Sequence, residues 1–128
     1  MKNIEFSYLY RDAGNYKKWG KVIFSNPDRL GPTEVNKALQ GAFLDGDLFV
    51  AQQVRIPEVF LFADGDATSD DHCFHEFDTT TLTTQAADDT YSRSIKEFIA
   101  EVEQQANRGW AEFDPRERSR NTSWNTHL

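Results

Sequence analysis

Residues 4–11 alternate strictly: Ile4, Phe6, Tyr8 and Tyr10 fall at every second position, with Glu5, Ser7, Leu9 and Arg11 between them. A period of two puts all four large apolar side chains on one face of an extended chain, the pattern of a half-buried strand. Asp12-Ala13-Gly14-Asn15 follows, four turn-forming residues with a glycine able to take positive φ. Residues 16–25, YKKWGKVIFS, are aromatic and β-branched and read as the return strand, stopped at Asn26-Pro27 because proline has no N–H for a ladder. The chain therefore opens with a hairpin that has one apolar face, and whatever follows must cover that face. The other face, holding Leu9 or Trp19, also calls for a cover, from the C-terminal tail or a second protomer.

Covering elements are legible downstream. Val35, Ala38, Leu39 and Ala42 have helical spacing within residues 31–44, with Pro32 near the start and Asp45-Gly46 after the end. Residues 47–54 and 58–63, separated by Pro57, read as two strands, and residues 72–82 as a short fifth. Residues 91–109 are the clearest helix: Ile95, Phe98, Ile99, Val102 and Ala106 share a face, Ser92 or Ser94 caps it and Gly109 ends it. The order β-β-α-β-β-(β)-α predicts an α+β fold, an antiparallel sheet of four to five strands with two helices. At 128 residues the chain suits one domain over 1–113, followed by a polar tail over 114–128.

The net charge of −7 is unevenly placed. Residues 1–55 carry eight Lys/Arg against six Asp/Glu, residues 93–128 carry six of each, and residues 56–92 carry nine Asp/Glu with no Lys or Arg. A concentrated acidic segment suits a cation or a basic protein partner, and an acidic chain is a poor general phosphate binder, so nucleic acid is not an expected partner. A single cysteine and the absence of a signal-like N-terminus or a long apolar run predict a cytoplasmic protein that no membrane holds.

Residues 64–78, DGDATSDDHCFHEFD, look most like chemistry. A calcium loop starting at Asp64 would have Asp64, Asp66 and Thr68 in place, but Ser69 stands where the sharp turn needs glycine and His75 where a bidentate glutamate belongs. His72, His75 and Glu76 offer donors for a divalent metal, yet on a strand the two histidines point to opposite faces unless the segment turns between them. A metal-dependent hydrolase is the alternative that this cluster supports, His75 beside Glu76 being able to move a proton. Against it stand the lack of a nucleophile elbow, a phosphate loop or a second Cys/His pair, and the plain fact that Gly, Asp, Ser and Thr dominate exposed turns. In the hairpin, Arg11, Lys17, Lys18 and Lys21 interleave with Tyr8, Tyr10, Tyr16 and Trp19, a pattern that can stack single-stranded bases and also one that simply builds a core hairpin. Arg11 has a further option: its guanidinium can fork onto a carboxylate of the acidic segment and make the two segments neighbours.

The stretches YLYRDAGNYK, LDG at 44–46 and HEF at 75–77 together resemble a set of small bacterial proteins of uncharacterised function, over about residues 6–80. The resemblance implies no activity or cofactor; it directs attention to Arg11, Asp12, Asn15, His75 and Glu76. The leading expectation is a non-enzymatic protein-binding or regulatory domain that needs no cofactor, with a homodimer among its expected forms, recognising a basic partner through Asp64, Asp66, Asp70 and Asp71 with Trp19 or Trp124 as apolar anchors.

Overall fold

A computed structural model describes residues 2–63 and 65–118. Strand β1 (Asn3–Arg11) and strand β2 (Lys17–Phe24) form the expected hairpin. Helix α1 (Pro32–Ala42) and the two-residue strand β3 (Leu48–Phe49) follow, then a 3₁₀ turn (Ala51–Val54), strand β4 (His75–Thr83) and helix α2 (Ile95–Arg108). The four strands make one antiparallel sheet in the order β2-β1-β4-β3, with two helices, an α+β fold.

Residues 58–63 are not a strand. Side chains claim the backbone where the segment begins: Tyr8 Oη donates to the carbonyl of the preceding Pro57 at 2.6 Å and the Val59 N–H donates to His75 Nε2 at 2.9 Å. The segment instead lays Phe60 and Phe62 against Tyr10, with ring centroids 5.0 and 5.9 Å away. The segment expected to be a short fifth strand is one of the two interior strands. β4 pairs with β1 from Asn3 to Leu9, and its threonine run suits a pleated surface with one face covered. A bulge at Asp78 shifts the register between Ser7 and Tyr8, so that both Phe77 and Thr80 reach the covered face.

Both helices pack on the face that carries Ile4, Phe6 and Tyr8. Val35 and Leu39 of α1 and Ile95, Phe98 and Val102 of α2 join these residues, Val22, Phe24 and Phe77 in one buried cluster. Phe6 lies at its centre, within 5.2 to 5.5 Å of the rings of Phe98, Phe77 and Tyr8. α2 starts with Ser94 Oγ accepting from the Glu97 N–H at 3.1 Å while Glu97 accepts from the Ser94 N–H at 2.9 Å, a reciprocal cap that satisfies two otherwise orphaned donors. Ahead of it, Arg93 is buried with all five of its N–H donors used: on both Asp89 oxygens, on Glu101 and on the carbonyls of Val54 and Arg55, all at 2.8–3.0 Å. One side chain thereby ties α2 to the 3₁₀ turn and to the loop before it.

The tail residues that are described begin with a helical turn over 115–118, from which Arg118 reaches Glu58. No helix among the described residues is long and apolar enough to cross a membrane.

Candidate functional site

β1 and β4 run side by side, so the end of the hairpin meets the end of the acidic segment. Arg11 forks onto Glu76 with Nε to Oε1 at 3.2 Å and Nη2 to Oε2 at 3.1 Å, and its Nη1 donates to Asn15. Asn15 can take this position because it closes the turn in the left-handed region, φ 66°. Asp12 shapes the same turn: its carboxylate accepts from the Tyr16 N–H at 2.9 Å and its carbonyl from the Asn15 N–H at 3.0 Å.

The acidic loop is fastened to this corner from the other side. The Asp70 carbonyl accepts from the Ala13 N–H at 3.3 Å. Asp71 accepts from Tyr10 Oη and from the Thr68 N–H, both at 2.9 Å. His72 uses both ring nitrogens on main chain, with Nε2 2.7 Å from the Arg11 carbonyl and Nδ1 accepting from the Phe74 N–H at 3.0 Å. These bonds define the tautomer with hydrogen on Nε2.

Between the two segments lies a cleft of about 340 Å³ lined by Arg11, Asp12, Ala13, Leu48, His72, Phe74 and Glu76. Ala13, Leu48 and Phe74 are its apolar walls, and the charged groups stand at its rim. Asp47, next to Leu48, has a carboxyl pushed up by burial first and then by the nearby charges of Glu76 and Asp45, with Arg11 opposing. Negative charge thus exceeds what Arg11 neutralises. The groove between α1 and α2 is larger, about 570 Å³, but Ala38, Gly41, Ala42 and Ala106 line much of it, far from this chemistry.

Arg11, Asp12, Asn15, Asp70, Asp71, His72 and Glu76 are brought together here, as is the meeting of hairpin and acidic segment. Asp66 is exposed on the same loop, and Asp64 and Trp124 lie outside the described residues. Trp19 stands on the same sheet face, in a row that crosses all four strands: Trp19 opposite Leu9, Leu9 opposite Glu76, Glu76 opposite Leu48. His75 is elsewhere. It points into the protein, 1% exposed, with its ring against Phe60 and Tyr10. Burial, with smaller contributions from the charges of His72 and Arg118, lowers its pKa to about 4, and the Cys73 backbone opposes this only in part. Among the described residues no three His, Cys, Asp or Glu groups are placed to hold a metal ion, His72, His75 and Glu76 included. Cys73 is buried too, and burial pushes its thiol up, away from a reactive thiolate.

Ala13, Leu48 and Phe74 line the cleft, and Asp47 adjoins it, without having been singled out as site residues from the sequence. Their signal was weak, because β3 is two residues long and its pairing with β4 joins positions nearly thirty residues apart. Compared with family models, with curated proteins and with solved structures, the chain matches none.

Proposed function

We propose that this protein works by binding a basic segment of another protein at the cleft between its hairpin and its acidic loop. The carrying observation is the imbalance of charge there: Glu76 and Asp47 both act on the one guanidinium of Arg11, Asp12 lines the same cleft and Asp70 stands on the loop fastened to Ala13, over walls made by Ala13, Leu48 and Phe74. A lysine or arginine side chain matches such a site, because its methylene stem covers apolar surface while its head meets the carboxylates. Binding suits this corner better than catalysis does. His72, Asp71 and Glu76 are each committed to a neighbour within the protein, which fixes their positions and leaves them poorly suited to carry protons to and from a substrate. A reducing compartment such as the cytoplasm suits the lone buried Cys73.

The test uses Asp66→Asn with Asp70→Asn, a pair whose side chains are exposed and make no internal hydrogen bond among the described residues. Calorimetric titration with an arginine-rich peptide should show binding that weakens about fivefold or more in this variant and weakens further with added salt, as expected for exposed charges within a screening length of about 10 Å. Equal affinity in the variant and the parent protein would remove the basis of the proposal.

A further inference from the structure

The outer edge of β2 is open over half its length, and we infer that it takes up an extended, acid-bearing segment of a partner protein as an added strand. The hairpin's own bonding decides which groups are available. The Asp12 N–H donates to the Tyr16 carbonyl at 3.1 Å, so this pair and every second pair after it, Tyr10 with Lys18 and Tyr8 with Gly20, bond inward across the ladder. The alternate residues Lys17, Trp19, Lys21 and Ile23 turn their N–H and C=O groups outward.

Ile23 shows that this edge accepts peptide, and acidic peptide in particular. Its N–H donates to Asp88 Oδ1 at 2.7 Å, and its carbonyl accepts from the Asp88 N–H at 2.9 Å. The protein's own chain covers the edge at that point and goes no further. The outward main-chain groups of Lys17, Trp19 and Lys21 have no hydrogen-bond partner among the described residues.

The same alternation sets the side chains of Lys17, Trp19 and Lys21 on the sheet face that the helices leave open. Trp19 is 56% exposed between two ammonium groups, and neighbouring Tyr16 is 72% exposed. Of the two lysines, Lys21 alone has a carboxylate near it among the described residues, Glu5 at 3.7 Å. Lysines on an edge ordinarily guard against pairing, and here they would oppose one another if two copies of β2 met. They do not guard against an acidic strand, and two exposed aromatic rings are the reverse of a guard. The matching segment carries acid, apolar and acid residues at alternate positions, the acids opposite Lys17 and Lys21 and the apolar side chain on Trp19. A nucleic-acid strand would find the cations and rings, and its phosphates could accept from the outward N–H groups, but it carries no regular ladder of N–H and C=O groups to match those of the edge. This surface adjoins the acidic cleft, Lys17 standing opposite Arg11, but it uses other groups and does not depend on the reading of that cleft.

The experiment titrates the full chain with a capped peptide of the pattern Glu-Thr-Val-Thr-Glu and follows amide hydrogen exchange by NMR. The expected result is slowing of about tenfold or more at Lys17, Trp19 and Lys21, abolished when Lys17→Glu and Lys21→Glu are combined. A peptide N-methylated at the positions that face β2 should lose binding, because main-chain bonds are then blocked. The inference is overturned if the three amides exchange unchanged at millimolar peptide. It is equally overturned if the N-methylated peptide binds as well, if a single-stranded oligonucleotide protects the same amides, or if exchange slows with protein concentration alone.

Discussion

A neutral imidazole held among aromatic rings makes His75 a residue whose protonation the fold resists. Its Nε2 accepts the Val59 N–H, while Nδ1 has no partner among the described residues. In an unfolded chain the group titrates near about 6.5, and in the folded protein near about 4. Between those values the unfolded state binds a proton that the native state does not, so stability falls as pH falls through that window, by about 3 kcal/mol in total. His75→Leu removes this slope and leaves the Val59 amide without its acceptor, which costs about 1–3 kcal/mol near neutral pH. Urea denaturation of both proteins near pH 7 and near pH 4.5 checks this: the curves of stability against pH should converge on acidification, and parallel curves would contradict it. In the sequence, His75 beside Glu76 looked like a metal ligand or a proton carrier. Its actual role is set by Val59 and Phe60, some sixteen residues upstream, which no local pattern around His75 reveals. Asp71 is a similar case, since the acceptor for Tyr10 looks like any other aspartate in an acidic loop. Arg11 was readable, because a cation at the end of one strand and a carboxylate in an otherwise cation-free segment make an obvious pair.

Among the elements, α2 was the most legible: its apolar face repeats at helical spacing, and Ser94, Glu97 and Gly109 mark its ends. β4 was underrated because its threonines hide the alternation, and residues 58–63 were misread because their apolar run packs as loop on ring rather than as strand on strand. Gly20 belongs to that packing. A Cβ there would sit 2.8 Å from Cζ of the Tyr8 ring and 3.0 Å from Val59 Cγ1. Gly20→Val should therefore destabilise the protein by about 1–3 kcal/mol through overpacking, measured by chemical denaturation, and a neutral effect would mean that residues 57–60 do not hold the ring as described. Arg93 does the corresponding work at the other end of the sheet. Burial pushes the carboxyl of its partner Asp89 up, but hydrogen bonds from the Arg93 side chain and backbone, and its charge, hold that carboxyl below its ordinary range. Arg93→Ala strips Asp89 of its guanidinium donors, leaving it only main-chain ones, and leaves the Val54 and Arg55 carbonyls without that donor; a loss of about 3–5 kcal/mol is expected in the same assay, and a loss under about 1 kcal/mol would contradict the clamp.

For the molecule as a whole, the ordering of charge along the chain is turned into an ordering of surfaces. A hairpin edge bearing Lys17, Lys18 and Lys21 lies at one side of the sheet, and the acidic loop closes against the hairpin's tip, through contacts 57 to 65 residues apart in sequence. Composition foretold that such surfaces exist. Only the pairing of β1 with β4 brings Arg11 and Glu76 together, and only the β3 pairing adds Leu48 to the cleft wall. The most direct measurement is an NMR titration of the full chain with a short arginine-rich peptide, reading backbone amide shifts. The account predicts that Ala13, Leu48, Phe74 and Glu76 shift together and saturably, and that α1 and α2 stay still. Shifts spread evenly over every acidic residue, or none at the cleft, would contradict it.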